Sequence, residues 1–180
     1  MDSILELDGQ LLLMIQEHAR VDFLTPLVTG ITHLCDSGIF WIILTLLLMI
    51  PKKTRKAALI SALAMIISYI VNNLILKYGF SRTRPYEVIE GLTILVGKQK
   101  DFSFPSGHAA TSFASSVALA SQLPRKYGVP LVILAALIAL SRLYVGVHYP
   151  TDVLVGTISG ILCALLAIWL AKRIVRRRAA

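Results

Sequence analysis

From Ala57 to Leu76 the chain runs for 20 residues without a charged side chain, and this fixes the solvent in which it folds. At 1.5 Å per residue, a helix of that length crosses ~30 Å, the hydrocarbon thickness of a bilayer. A second uncharged run, Val153 to Ala171, ends at Lys172 and Arg173. The whole chain is 56% hydrophobic and 16% charged, with mean hydropathy +0.74. A soluble domain is about 45–50% apolar and about 25% charged. The formal net charge of +8 would suggest nucleic acid in a soluble protein. Here the basic residues gather at the ends of apolar runs, so the bilayer is the expected partner and nucleic acid is not.

Four further runs complete the pattern: Phe23 to Leu34, Gly38 to Ile50, Ala109 to Leu123 closed by Pro124, and Val129 to about Tyr144. The first two are short and are expected to form a hairpin through Cys35, Asp36 and Ser37. Residues 3–19 mix Ile4, Leu5, Leu11, Leu12 and Ile15 with acids, as in an amphipathic helix lying at the membrane interface. The expectation is an all-α, polytopic bundle of about six transmembrane helices with an N-terminal interfacial helix, a single domain over 1–180. Asp2, Glu6 and Asp8 open the chain where a cleavable signal would carry bases, so none is expected. Cys35 and Cys163 suit buried free thiols.

Alternating six spans sorts the 18 Lys and Arg residues. Twelve fall on one side: Arg20, Lys52, Lys53, Arg55, Lys56, Arg125, Lys126, Lys172, Arg173, Arg176, Arg177 and Arg178. Six fall on the other: Lys77, Arg82, Arg84, Lys98, Lys100 and Arg142. The richer side is expected to be cytoplasmic, with both termini there and the long polar loop 77–107 outside.

Those outer cations have company. Lys77 leads to Arg82, Arg84 and Pro85; Pro105, Ser106, Gly107 and His108 open a helix; Ser141 and Arg142 lead to His148 and Asp152. Lys and Arg match phosphate oxygens in charge and donors. Ser106 and Gly107 precede an apolar helix whose free N–H groups and dipole favour an anion. Asp152, four residues after His148, can accept from one ring nitrogen and leave the other as a nucleophile. His108 suits general-acid duty on the leaving oxygen, and the cations would stabilise a five-coordinate phosphoryl group. No carboxylate cluster for Mg²⁺ is evident in the sequence, so neither a metal nor another cofactor is expected.

The three segments resemble the type 2 phosphatidic acid phosphatase superfamily, whose signature is Lys-x6-Arg-Pro, Pro-Ser-Gly-His and Ser-Arg-x5-His-x3-Asp. Lys77 with Arg84–Pro85, Pro105 to His108, and Ser141–Arg142 with His148 and Asp152 match it at every position and in order. The resemblance implies that Lys77, Arg84, Ser106, Gly107 and Arg142 bind the phosphate of a lipid substrate. It implies that His148 forms a phosphohistidine, Asp152 orients it and His108 protonates the leaving group. Arg82 is assigned a supporting role toward a second phosphate. Small members commonly act on undecaprenyl diphosphate, which the outward site favours; phosphatidylglycerol phosphate and phosphatidate are the alternatives. A vanadate-loaded haloperoxidase is disfavoured by the apolar spans, and a lipid transporter by the scarcity of polar residues within them.

The remaining polar residues carry blander expectations. His18 and His33 are satisfied polar groups, and Lys98, Lys100 and Asp101 are solvated loop charges. Glu87 and Glu90 cap or pair with loop arginines. Asn72 and Asn73 make helix–helix hydrogen bonds, Tyr144 and Tyr149 sit at the interface, and 86–103 is a possible lid.

Overall fold

A computed structural model describes residues 2–179, and among them every regular element is helical. The helices are α1 (Asp2–Ala19), α2 (Thr25–Leu34), α3 (Ile39–Met49), α4 (Arg55–Ser68), α5 (Lys77–Phe80), α6 (Pro85–Val88), α7 (Gly107–Ala120), α8 (Arg125–Tyr144) and α9 (Pro150–Ala179). A π-helical stretch, Tyr69–Leu76, joins α4 to α5. Within it the Asn72 amide donates to the backbone oxygen and hydroxyl of Ser68 on its own helix, so this residue serves its own turn and not a neighbouring helix. Wide turns of this kind recur at functional sites.

Three segments are long and apolar enough to cross a membrane: Arg55–Val88, Arg125–Tyr144 and Pro150–Arg177. The buried share of their most apolar windows is only 28–33%, so most of that surface faces outward. Leu137, Leu140, Leu154, Leu162, Leu165 and Trp169 are among the exposed side chains. A fourth span exists if α2 and the segment Asp36–Met49 are taken together across a 46° bend. The two expected spans 23–34 and 38–50 are therefore two arms of one bent segment, not a hairpin. Ser37 (φ 54°) and Gly38 (φ 71°) turn the chain at the break.

α7 is the exception to the length rule. It has 14 residues, and its buried face is made of Ala109, Ala110, Ser112, Ala114, Ser115, Ser116 and Ala118, with Leu119 the one large side chain. A helix wrapped by α4, α8 and α9 meets little lipid, so it needs small residues for close approach more than length. Gly156 and Gly160 of α9 supply that approach. A Cβ would lie 2.6 Å from the Ser106 oxygen at Gly156 and 2.3 Å from the Ala110 oxygen at Gly160. Polar contacts pin the same helix: Thr45, Ser61 and Ser115 form a hydroxyl chain, and Trp41 Nε1 donates to Ser112 at 2.9 Å.

α1 overturns part of the charge count. Its Asp8 accepts from the backbone and hydroxyl of Thr151 at the start of α9. Arg20 donates to the Tyr144 carbonyl oxygen at 2.7 Å and to Thr93. Thus α1 and Arg20 lie at the end of the bundle where α9 begins. Residue 177, some 27 residues along the helix from Pro150, lies about 40 Å away at the opposite end. The two termini of the described chain are at opposite ends, and the expectation of a shared side fails. The alternation erred because it made α2 a separate crossing. Moving Arg20 leaves eleven basic residues at the far end and seven at the near end.

Candidate active site

The end of the bundle that holds α1 also gathers the three sequence segments. Lys77 stands where the π-helical stretch passes into α5, His108 in the first turn of α7, Arg142 in the last turn of α8, and His148 in the α8–α9 turn. Gly146 (φ 80°) makes that turn possible: a Cβ would lie 2.8 Å from the Thr93 oxygen. One cavity of about 860 Å³ is lined by Lys77, Arg84, Gly107, His108, Arg142 and His148. It continues between α3 and α4 along Ile42, Ala62, Met65, Ile66 and Tyr69.

His148 is 2% exposed, and its Nδ1 faces Asp152 Oδ2 at 3.4 Å. A carboxylate only accepts, so Nδ1 carries the hydrogen and Nε2 keeps its lone pair. That lone pair accepts from Arg84 Nη1 at 3.2 Å. Burial, followed by the charges of Arg84, Arg142 and Lys77, holds this imidazole well below its ordinary pKa, in the neutral form a nucleophile requires. Asp152 is fully buried, accepting from Ser103, from the Tyr149 N–H at 3.0 Å and from Arg82 at 2.7 Å.

Arg82 does something other than expected. Its guanidinium spans Asp152 (2.7 Å), Asp8 (2.7 Å) and Thr151 (2.8 Å), and stacks 3.7 Å over the Tyr149 ring. Both terminal nitrogens are thus engaged by buried carboxylates, and Arg82 is not part of the lining of the cavity that holds Lys77, Arg84 and His148. Tyr149 is therefore a buried platform. Tyr144 is also buried, its hydroxyl bonded to the Val21 backbone, so neither tyrosine is an interface aromatic.

Ser106 is fully buried, outside the cavity lining. Its hydroxyl caps α7 by accepting from Ala109 N, and its N–H donates to the Asp152 carbonyl oxygen at 3.0 Å. Gly107 lines the cavity, with Asn73 Oδ1 3.2 Å from where a Cβ would sit. Arg142 is 1% exposed; Nη1 donates to Thr32 at 2.7 Å, while Nε has no hydrogen-bond partner among the described residues.

Asp101, expected as a solvated loop charge, is 46% exposed but paired. Its carboxylate bridges Lys77 and Arg84, the Arg84 contact measuring 2.6 Å. Burial alone would raise its pKa, yet the two cations hold it below the usual carboxylate range. An anion thus already sits on two of the cations expected to bind phosphate. Asp36 is the other unforeseen acid: Oδ1 lies 3.2 Å from His108 Nε2 and Oδ2 lies 2.7 Å from His33 Nδ1. Asp8, Asp36, Asp101 and Ser103 stand outside the recognisable motifs, and only their contacts reveal them.

The chain is 35% identical over 120 residues to an undecaprenyl-diphosphatase of Sulfolobus acidocaldarius, covering 67% of this chain. It spans 58% of that relative's length. It is 34% identical over 134 residues to a decaprenylphosphoryl-5-phosphoribose phosphatase of Mycobacterium tuberculosis, covering 73% of this chain and 71% of the relative. The fold matches the crystal structure of a PAP2-type phosphatidylglycerolphosphate phosphatase from Bacillus subtilis with TM-score 0.78 and 27% identity, over 97% of this chain and 89% of the other. Residues 57–176, which hold every motif of the site, match the PAP2 superfamily, and the chain belongs to that superfamily.

Proposed function

We propose that the chain is an integral membrane lipid phosphatase that passes a phosphoryl group through His148 to water. The observation that carries this reading is the single cavity in which three cations and two imidazoles open onto an apolar groove between α3 and α4. A lipid can lie with its tail along Ile42, Met65 and Ile66 and its head among Lys77, Arg84 and Arg142. The Gly107 N–H, at the positive end of α7, adds a donor to the same anion. Ser106 shapes that turn, and Arg82 holds Asp152.

In the first step His148 Nε2 attacks phosphorus, the bond from phosphorus to the leaving oxygen breaks, and His108 gives that oxygen a proton. In the second, water attacks the phosphohistidine, the N–P bond breaks, and His108 takes a proton from the water. Asp152 holds the Nδ1 hydrogen throughout. Lys77, Arg84 and Arg142 supply the charge stabilisation, so this chemistry calls for no metal.

The favoured substrate is undecaprenyl diphosphate, an assignment supported by the polyprenyl phosphates in the names of both sequence relatives. Phosphatidylglycerol phosphate is the runner-up, supported by the structural neighbour. Eleven basic residues at the far end against seven at the near end orient the C-terminus to the cytoplasm. The site and α1 then face the exterior, α1 lying at the outer interface. The test is phosphate release from a panel of purified lipids by wild type and His148→Ala. Polyprenyl diphosphate is expected to be turned over fastest by wild type and not at all by the variant. Faster release from phosphatidylglycerol phosphate would replace the substrate, and undiminished release by the variant would end the mechanism.

A further inference from the structure

The geometry points to Asp36 as a positioning residue for His108, delivered to the site by the break between α2 and α3. The inference rests on the reading of His108 as general acid, and it gives the bend between α2 and α3 a role in the site. Ser37 and Gly38 adopt left-handed backbone (φ 54° and 71°) immediately after Asp36. For Ser37 that conformation costs energy, and such strain is kept where the surroundings demand it. Its result is to place Asp36 Oδ1 3.2 Å from His108 Nε2.

That contact assigns the roles of the two ring nitrogens. With Nε2 directed at a carboxylate, Nε2 carries a hydrogen and Nδ1 is the nitrogen that gives and takes the catalytic proton. His108 also shares its cavity with Lys77 of the α4 segment, Arg84 and Asp101 of the loop, Arg142 of α8 and His148 of the α8–α9 turn. Three of these are cations, and they oppose a positive imidazole beside them. Asp101 is already engaged by Lys77 and Arg84. The carboxylate that directly bonds the His108 ring is Asp36, which favours the protonated ring the first step needs. Asp36 is itself steadied by His33, whose Nδ1 lies 2.7 Å from Oδ2. The His33 side chain is 58% exposed, Asp36 50% and His108 15%, so the three rise from the cavity toward solvent.

Leaving groups of different quality separate this role from a structural one. General acids contribute about 10²–10⁴ in rate, mostly where the leaving oxygen is a poor one. The full chain is assayed in detergent with phosphatidate, whose leaving alkoxide is poor, and with p-nitrophenyl phosphate, whose leaving phenolate is good. Asp36→Asn is expected to lower kcat on phosphatidate by about 10–100-fold. KM should stay near wild type, loss on p-nitrophenyl phosphate should be slight, and the alkaline limb of kcat should move to lower pH. His33→Ala should give a smaller loss of the same kind. His108→Ala should show the strongest selectivity, and adding Asp36→Asn to it should cost almost nothing more. Vanadate inhibition, retained in Asp36→Asn, shows that the variant is folded. Equal losses on both substrates in Asp36→Asn, with the selectivity intact in His108→Ala, would overturn the role of Asp36 alone. Equal losses in His108→Ala would overturn the general-acid reading on which it rests.

Discussion

Replacing Arg82 separates two roles that the sequence leaves entangled. As a phosphate ligand, Arg82→Ala would raise KM and leave the fold intact. In the structure this guanidinium instead pairs with two carboxylates, whose side chains are 3% exposed for Asp8 and 0% for Asp152. Removing the cation strands both, and breaking a buried pair from one side costs about 3–5 kcal/mol. At roughly 2–4 °C per kcal/mol for a chain of this size, melting in detergent should fall by on the order of 10 °C. Released from Arg82, Asp152 would also hold His148 less well, so kcat should drop while KM moves little. Asp8→Ala strands no carboxylate and leaves the Arg82–Asp152 contact, so about 1–3 kcal/mol is expected. The two losses should not add, since Arg82→Ala is milder once Asp8 is gone. The assay is thermal unfolding of the solubilised chain beside steady-state kinetics on the lipid. An unchanged melting point with a raised KM would refute the reasoning and return Arg82 to the substrate.

Gly160→Ala would drive a Cβ to 2.3 Å from the Ala110 backbone oxygen and force α7 from α9; about 1–3 kcal/mol of stability and much of the activity should go, whereas unchanged melting would show the packing to be looser than described. Because burial and cations depress the His148 pKa, the acid limb of kcat/KM should lie below pH 6.5, where an ordinary imidazole would already be charged. The same shift makes the unfolded chain the better proton binder, so its contribution to stability diminishes as pH falls through ~6.5; an acid limb at 6.5 or above would contradict it. Asp101→Asn removes the anion bridging Lys77 and Arg84, so inorganic phosphate should inhibit about tenfold more tightly, a change of ~1.4 kcal/mol; weaker inhibition would mean that Asp101 supports the site instead of competing for it.

The motifs of the proposed site were legible because each is local. Lys77 with Arg84, Ser106 to His108, and Arg142 with His148 and Asp152 sit at helix ends, where spacing alone brings them to one surface. The long spans were legible because a bilayer demands length and apolarity. Residues joined only by tertiary contact were not. Asp8 reaches Thr151 across 143 positions and Asp36 reaches His108 across 72, and no spacing rule announces either. The course of α2 misled because apolar length alone does not distinguish a separate crossing from one arm of a bent one. One missed signal was present in the sequence: Gly156 and Gly160 form a small-xxx-small pair, the pattern by which α9 accepts α7.

The central claim is a covalent bond between phosphorus and His148. Mixing the solubilised chain with lipid labelled in its transferable phosphate, quenching in alkali within one turnover and mapping the labelled peptide tests it most directly. The account predicts label on the peptide bearing His148, absent from His148→Ala and persisting longer in His108→Ala, which lacks the base for the water step. Full turnover without label on the chain, or label that survives in His148→Ala, would contradict it.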